Sequence, residues 1–581
     1  MDRTQEVILK IENQVFKVEI RLLCEHSDYF TAMFSGNYVE KELHEISIDV
    51  IDANSMNIIL QYMQLGLIDL SKYPLSTIGD LAIAANFLQI TELMKQIEYC
   101  LDLQLSLSNW METMVIAENT SYKKLEQLCA AFGLLSFKSM KPEYIPSIHK
   151  LCWYLSHPYL DASNELDVFK FGFQWISRAE TGADALLIIL GSLDFSRITS
   201  EDFNEIKQLI MIYQNSLAFK VVDCLFEISS NGEISEQVIS ERRRDVCKNF
   251  TERVYNELLV LVKESLIRKL RYTPTIPVWL VKDSKLEAVP HSMYTFNVEK
   301  GFEKWLEVAD KNLWGWSVTS WGANKLVVVC GEHGRGTGMF MRDVKVYDTF
   351  RNEWTDHGVQ LPQRRHAGVT VFGDTLYLIG GVGGFRVVLD TAVAYDLKQR
   401  SFRKIAKLPD TIQNPAVCTH KNKVYATGHK NIYRYEDFGA HDLWRTAVST
   451  DIRVNCMVSY KKYIYCTQSY FRLLYRFQPD VDEKLVLITS YSNPTAGICT
   501  LDDCLMAFTS TVGGPSEILS VEVFKEKLAN QNPQVVWTET NANIRVNEVA
   551  GTTKLVIHVP PVKNELSAYL KRYLTRYTEF S

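Results

Sequence analysis

An aromatic pair recurs through the second half of this 581-residue chain, and its spacing restricts the fold more than any other feature. Tyr347-Asp348 is followed by Trp354, Tyr395-Asp396 by Phe402 and Tyr435 by Trp444, with Phe296 and Trp305 upstream. The second aromatics lie 49, 48 and 42 residues apart (305 to 354, 354 to 402, 402 to 444), and Trp537 stands 93 beyond Trp444, close to two further periods. Short strands repeating at this period stack as the blades of a β-propeller. Segments 326–330, 375–379, 423–426, 463–466 and 505–508 each follow a polar turn, as the second strand of a blade would. The count is six blades, at 276–308, 312–356, 362–406, 412–446, 452–488 and 494–540, with a strand at 554–559 expected to close the ring on the first.

The first half is built differently. Residues 6–20 alternate as a strand pair around Glu12-Asn13-Gln14 and lead into a helix stopped by Gly36. Ile46 and Ile48 mark another short strand, and helical patterns follow at 53–65, 76–88 and 91–104. Residues 107–265 carry 3.6-period patterns such as Leu166, Phe169, Phe173 and Ile176 with almost no strand signal, so helix pairs are expected. The Pro-rich stretch Tyr272-Thr273-Pro274-Thr275-Ile276-Pro277 reads as a linker. The expected layout is an α+β module at 1–106, a helical domain at 107–265, a linker at 266–275, the propeller at 276–560 and a C-terminal tail at 561–581, helical over 564–573.

These parts together resemble the BTB–BACK–kelch proteins. Ser27-Asp28-Tyr29-Phe30-Thr31-Ala32-Met33-Phe34-Ser35-Gly36 is similar to the BTB/POZ segment S-x-Y-F-x-A-M-F-x-G, and residues 81–90 to that domain's later helix pair. Asn164-Glu165-Leu166-Asp167-Val168-Phe169 with Trp175-Ile176 resembles the BACK stretch E-x-x-V-F…W-I. Only Leu378-Ile379-Gly380-Gly381 keeps the kelch double glycine, which elsewhere becomes Cys330-Gly331, Thr427-Gly428 and Cys466-Thr467. The glycines are expected where strands crowd a narrow central channel. The blade aromatics are expected as core between blades.

The resemblance implies a substrate adaptor of a ubiquitin ligase, whose BTB end forms a homodimer and docks cullin-3 while the propeller binds a substrate protein. Tyr38-Val39-Glu40 falls where that family carries a hydrophobic-x-Glu docking motif; an exposed ring buries area and a carboxylate orients a basic partner. Glu6 and Glu19-Ile20 replace the Asp and the His-Lys/Arg usual in BTB domains, which argues against the charged pocket some BTB transcription factors use. In kelch adaptors, arginines at the start of the innermost strand face acidic peptides. Arg364, Arg365, His366, Arg453 and Asn455 occupy such positions, and Arg335 and Arg386 lie in glycine-rich loops beside them. An actin-associated scaffold without a ligase role is the second reading, since some kelch proteins organise the cytoskeleton.

Other classes are disfavoured. The run 331–338 (GEHGRGTG) fits neither dinucleotide nor P-loop spacing, no Gly-x-Ser-x-Gly elbow occurs, and Cys499 and Cys504 lack ligands at metal spacing. No catalytic residue, cofactor or metal is therefore expected. Residues 1–106 hold 7 Lys+Arg against 16 Asp+Glu, a charge of −9, and Arg242-Arg243-Arg244 is one short basic run, so nucleic acid is not an expected partner. Twelve scattered cysteines without CxxC read as reduced thiols, and apolar runs such as 186–190 are too short for a membrane. The expected location is cytoplasm or nucleus.

Overall fold

A computed structural model describes residues 6–35, 44–179, 184–212, 221–225, 252–269, 272–280, 291–309, 313–501, 503–511, 518–526, 532–575 and 577. It divides into two compact units, residues 1–270 with 559–581, and residues 271–558.

The first unit begins with the expected hairpin, Glu6–Ile11 against Gln14–Glu19, and Glu45–Ser47 adds in parallel to its first strand. Val7, Leu9 and Ile11 turn inward, as period-two alternation requires. Helices Ile20–His26, Asp28–Ser35, Ala53–Leu65, Leu75–Phe87 and Thr91–Leu103 pack on the sheet. Ser27 ties this module together: its hydroxyl accepts from the Phe30 amide at 3.2 Å, capping a helix, and donates to the Leu88 carbonyl at 2.6 Å. Ser27→Ala is expected to lower stability by about 2 kcal/mol, because the cap is lost and a buried carbonyl loses its donor. Urea unfolding followed by tryptophan-independent helix circular dichroism checks this value.

Helices follow, among them Trp110–Asn119, Lys123–Leu135, Ile148–Leu155, Glu165–Arg178, Asp184–Gly191, Ser200–Ile212 and Glu252–Lys263, with no strand among the described residues between 107 and 269. Trp110 is fully buried and lies against Gly133, where a Cβ would come within 2.4 Å of its ring. Glu165, the acidic residue of the E-x-x-V-F stretch, is buried and forms a forked ion pair with Arg268, at 3.1 Å (Nε) and 2.9 Å (Nη2).

The C-terminal residues expected as a tail are instead part of this helical unit. The Trp153 indole donates to Val562 O at 3.1 Å, and Asn564 donates to Trp153 O at 3.0 Å and Ser156 Oγ at 2.9 Å. The helix Ala568–Leu574 then buries Tyr569, Leu570, Tyr573 and Leu574, with Tyr569 and Leu570 so close to Gly191 that a Cβ there would clash. A sequence pattern shows the helix but not its partner, since these contacts span more than 400 residues.

His157 sits inside this clasp. Its Nε2–H donates to Pro561 O at 3.0 Å and its Nδ1 accepts from the Tyr159 amide at 3.2 Å, which fixes the neutral tautomer. Burial, with Arg268 nearby, brings the imidazole down to about 4 from the usual 6.5. Between those values the unfolded chain binds the extra proton and the folded chain does not, so stability is lost as pH falls from about 6.5 towards 4. By pH 5 the loss from this residue should reach about 2 kcal/mol. His157→Gln, which keeps a donor for Pro561, should remove that part of the decline in thermal midpoints compared at pH 7 and pH 5.

The second unit is a propeller of six antiparallel sheets. Its inner strands are Thr553–Leu555, Ser317–Trp321, Gly368–Phe372, Val417–His420, Val454–Tyr460 and Thr495–Leu501, each adjacent to the next around a closed ring. Thr553–Leu555 and Ile544–Val546 both pair with Thr273–Leu280, so the last strands of the ring complete the first blade. Six apolar clusters fill the six junctions between neighbouring blades, one to each. The aromatic repeat now has a geometric cause. Tyr347 faces Trp354, Tyr395 faces Phe402 and Tyr435 faces Trp444 across the third and fourth strands of their blades. In the first blade the partner of Phe296 is Phe302, not Trp305; Trp305 packs on Tyr347 of the next blade at 5.8 Å.

Two further expectations are corrected. The Pro-rich stretch is no linker, because Thr273–Leu280 is a paired strand, and Arg268 and Lys269 are bonded to the helical unit. Pro277 is tolerated because it falls opposite the gap between Ile544–Val546 and Thr553–Leu555, where no amide is needed. The Gly380-Gly381 doublet does not line the channel. Both residues have positive φ (60° and 95°), and a Cβ would lie 2.7 Å from Ile412 O and 2.7 Å from Arg365 O, so the doublet lets two inter-blade loops close over the strand end. The channel argument applies instead to Gly368, whose Cβ would meet Pro415 O at 2.5 Å.

Candidate functional site

In a ring of antiparallel blades, the loops joining second to third strands and those joining one blade to the next emerge on the same face. All seven propeller residues singled out from the sequence stand on that face or at its edge. Their environments separate them into two groups.

Arg364, Arg365, His366 and Asn455 brace the scaffold. Arg364 is buried, and its Nη1 donates to the carbonyls of Leu378, Gly380 and Thr391 at 3.4, 3.1 and 3.2 Å. Arg365 forms a largely buried ion pair with Glu332, whose carboxylate also accepts from the Gly338 amide at 2.8 Å. Burial pushes the Glu332 carboxyl up, but the Gly338 and Gly336 amides and the Arg365 guanidinium outweigh it and hold the group below its ordinary value. His366 has φ 56°, donates its amide to Gly315 O at 2.7 Å and accepts from the Asn414 amide at 3.0 Å, so it joins three loops. Burial and the charges of Arg365 and Arg335 bring its imidazole down to about 4, leaving a neutral ring. Asn455 donates to Thr495 O at 2.8 Å and accepts from Thr467 Oγ1 at 2.7 Å. The side chains of Arg364, Arg365 and Asn455 are thus engaged within the scaffold, whereas His366 is held by its backbone and its buried Nδ1 has no hydrogen-bond partner.

Arg335, Arg386 and Arg453 are exposed and have no ion pair among the described residues. Arg335 lies 5.8 Å over the Trp314 ring, and Arg386 Nη2 is 4.0 Å from where a Cβ on Gly336 would stand, so the loops of the second and third blades approach each other. A two-stranded ribbon, Leu313–Trp314 against Glu332–His333, fixes that corner, and Trp279 packs on Trp314 in a tilted arrangement, with ring centroids 5.9 Å apart.

Apolar side chains on the same loops were not singled out from the sequence. Trp314 is 39% exposed, Met339 62%, Phe385 104%, Tyr470 70% and Phe471 55%, and Arg472 follows Phe471. The available signal was an aromatic followed by arginine in a tight turn, Gly384-Phe385-Arg386 and Tyr470-Phe471-Arg472. The face is thus cationic and aromatic, a combination suited to protein recognition. Tyr38, Val39 and Glu40 lie outside the described residues. Among the described residues, no group of three His, Cys, Asp or Glu side chains is placed to hold a metal ion.

An α+β module, a helical unit and a six-bladed propeller are the parts of a BTB–kelch protein, and similarity to known proteins supports that family for this chain. The BTB/POZ domain family model matches residues 2–105 and the kelch motif model residues 363–409. Kelch-like protein 26 of Danio rerio is 23% identical over 469 residues, covering 73% of this chain and 74% of that protein. Kelch-like protein 36 of Mus musculus is 22% identical over 473 residues, with the same coverage of 73% and 74%. Kelch-like protein 15 of Mus musculus is 22% identical over 436 residues, 73% of this chain and 66% of that protein. Proteins of this family act as binding and adaptor proteins.

Proposed function

We propose that this chain is a non-catalytic substrate-recognition adaptor of a cullin-3 RING ubiquitin ligase, acting in the cytoplasm or nucleus. Its BTB domain docks cullin-3 through Tyr38-Val39-Glu40 and pairs with a second copy, and the loop face of the propeller takes a partner protein. The observation that supports this most is the face itself: Arg335, Arg386 and Arg453 stand exposed beside Trp314, Phe385 and Phe471, while the carboxylate of Glu332 is engaged within the scaffold. Such a surface selects an acidic partner by charge and holds it by buried aromatic area. A dimer presents two faces and gains avidity for a repeated or dimeric target. No described helix is long and apolar enough to cross a membrane.

The test is proximity labelling in cells by the full chain and by Arg335→Glu, Arg386→Glu, Arg453→Glu, which reverses the face without touching the bracing arginines. Loss of one set of acidic proteins, which wild type also causes to be ubiquitinated, is the expected result. Identical labelling and ubiquitination by both chains counts against the proposal.

A further inference from the structure

The loop between the second and third strands of the third blade ends in a tip that folding does not explain. Phe385 is wholly exposed and its ring packs on nothing. Phe385 and Arg386 both take the left-handed conformation, with φ 52° and 62°, which a residue carrying a Cβ adopts only at a cost. Beneath the tip the loop is tightly closed. The Gly383 amide donates to Val387 O at 2.8 Å and the Leu389 amide to Gly381 O at 2.9 Å, while Val382 bridges to both Arg365 and Val388. An apolar ring held outward on strained, well-bonded backbone destabilises the isolated chain, and such strain points to a binding role. The fifth blade repeats the arrangement: Tyr470 has φ 63° and is followed by exposed Phe471 and by Arg472.

The surroundings of Phe385 define what would cover it. Val387 (56% exposed), Met339 and Trp314 extend the apolar patch, and Arg335 and Arg386 stand along it. The carboxylates of these loops are already engaged: Glu332 by Arg365 and Gly338, Asp343 by the Val344 and Val359 amides, and Asp390 by Lys407 at 3.3 Å. Glu332 and Asp390 are thus paired with cations, and Arg335 and Arg386 outweigh the one remaining carboxylate, Asp343, so the charge beside the patch is net positive.

We infer that Phe385 is an insertion anchor, entering an apolar cleft on a folded partner protein whose carboxylate rim meets Arg335 and Arg386. Shape decides the class of partner. A protruding ring is complementary to a cavity, and an extended acidic peptide has none to offer. The inference rests on the proposed capture of a partner by this face and specifies its kind.

The test uses the full chain with the photo-crosslinking residue p-benzoylphenylalanine at position 385. The same residue at position 438, a half-exposed phenylalanine in a turn on the opposite face, serves as the control. After irradiation in cells the crosslinked residue on the partner is mapped, and that partner is purified and titrated against the full-length variants. The expected crosslink lies in a cleft of a folded domain and is absent from position 438. Phe385→Ala should weaken binding about 30-fold or more, and Phe385→Leu less. Arg335→Ala with Arg386→Ala should also weaken it and flatten its salt dependence. Because the ring packs on nothing, the thermal midpoint of Phe385→Ala should equal that of wild type. A crosslink to an extended acidic segment overturns the anchor, and so does a loss below about threefold for Phe385→Ala. If the arginine variant still weakens binding in either case, capture by the face stands and only the anchor falls. No partner at position 385 together with indifference to the arginine variant removes both.

Discussion

Ending the chain at His558 is expected to unfold the helical unit and leave the propeller folded. The propeller keeps every strand, because its ring closes at Thr553–Leu555. The helical unit loses the burial of Tyr569, Leu570, Tyr573 and Leu574, and leaves the Trp153 indole and the His157 ring without their carbonyl partners at Val562 and Pro561. Four large buried side chains contribute about 1.5–3 kcal/mol each, or about 6–12 kcal/mol in all as an upper bound. That is comparable to the whole stability of an ordinary domain, about 5–15 kcal/mol. Hydrogen exchange should show protection lost across helices between 110 and 212 and kept in the strands between 317 and 501. In the full chain, Tyr569→Ala with Leu570→Ala should reproduce a partial form of the same pattern. Unchanged protection in the helices would mean that the C-terminal segment rests on the unit without supporting it.

The second large effect is expected at Arg268. Its guanidinium pairs with both oxygens of Glu165 and donates to Leu155 O at 2.8 Å and His157 O at 3.0 Å, while its amide donates to Asp194 Oδ2 at 2.9 Å. The Glu165 carboxylate also accepts from the Asp194 amide at 3.1 Å. Arg268→Ala leaves the buried Glu165 carboxylate paired only with the partly exposed Arg197, at 3.5 Å, and strands several carbonyls, which should cost about 3–5 kcal/mol. Removing both charges, as in Glu165→Gln with Arg268→Met, should cost clearly less than the single change, because the buried carboxylate is gone and Arg197, the cation left behind, is partly exposed to water. Denaturant unfolding of the four proteins of that cycle measures the coupling. Equal losses for the single and double variants would show that packing, not charge, makes the site.

The sequence made legible what is periodic and local. The blade repeat stands out because Tyr347, Tyr395 and Tyr435 each face an aromatic across one hairpin, within seven to nine positions. The hairpin at 6–19 follows from alternation, and helical periodicity marks the segment after it, but the break at Ser27 into Ile20–His26 and Asp28–Ser35 was not read from the sequence. What stayed hidden depends on distant partners. Glu332 meets Arg365 from 33 positions away, so an arginine that looks free in sequence is a scaffold brace. Arg364 resembles its neighbour in sequence but points into the blade. The strand at Thr273–Leu280 was masked by its prolines, of which Pro277 is made tolerable by the interrupted pairing with Ile544–Val546 and Thr553–Leu555. The exposed Phe385 went unnoticed because composition alone does not distinguish a ring in the core from one held in water.

In the proposed function, one chain joins a cullin-docking end to a partner-binding face. The most direct test is a calorimetric titration of the full chain with the cullin-3 N-terminal domain, run beside Tyr38→Ala with Glu40→Ala. Saturable binding of one cullin domain per chain at micromolar concentration or tighter is expected, abolished in the double variant without change in the chain's oligomeric mass. No heat of binding by the wild-type chain, or equal binding by the variant, would contradict it.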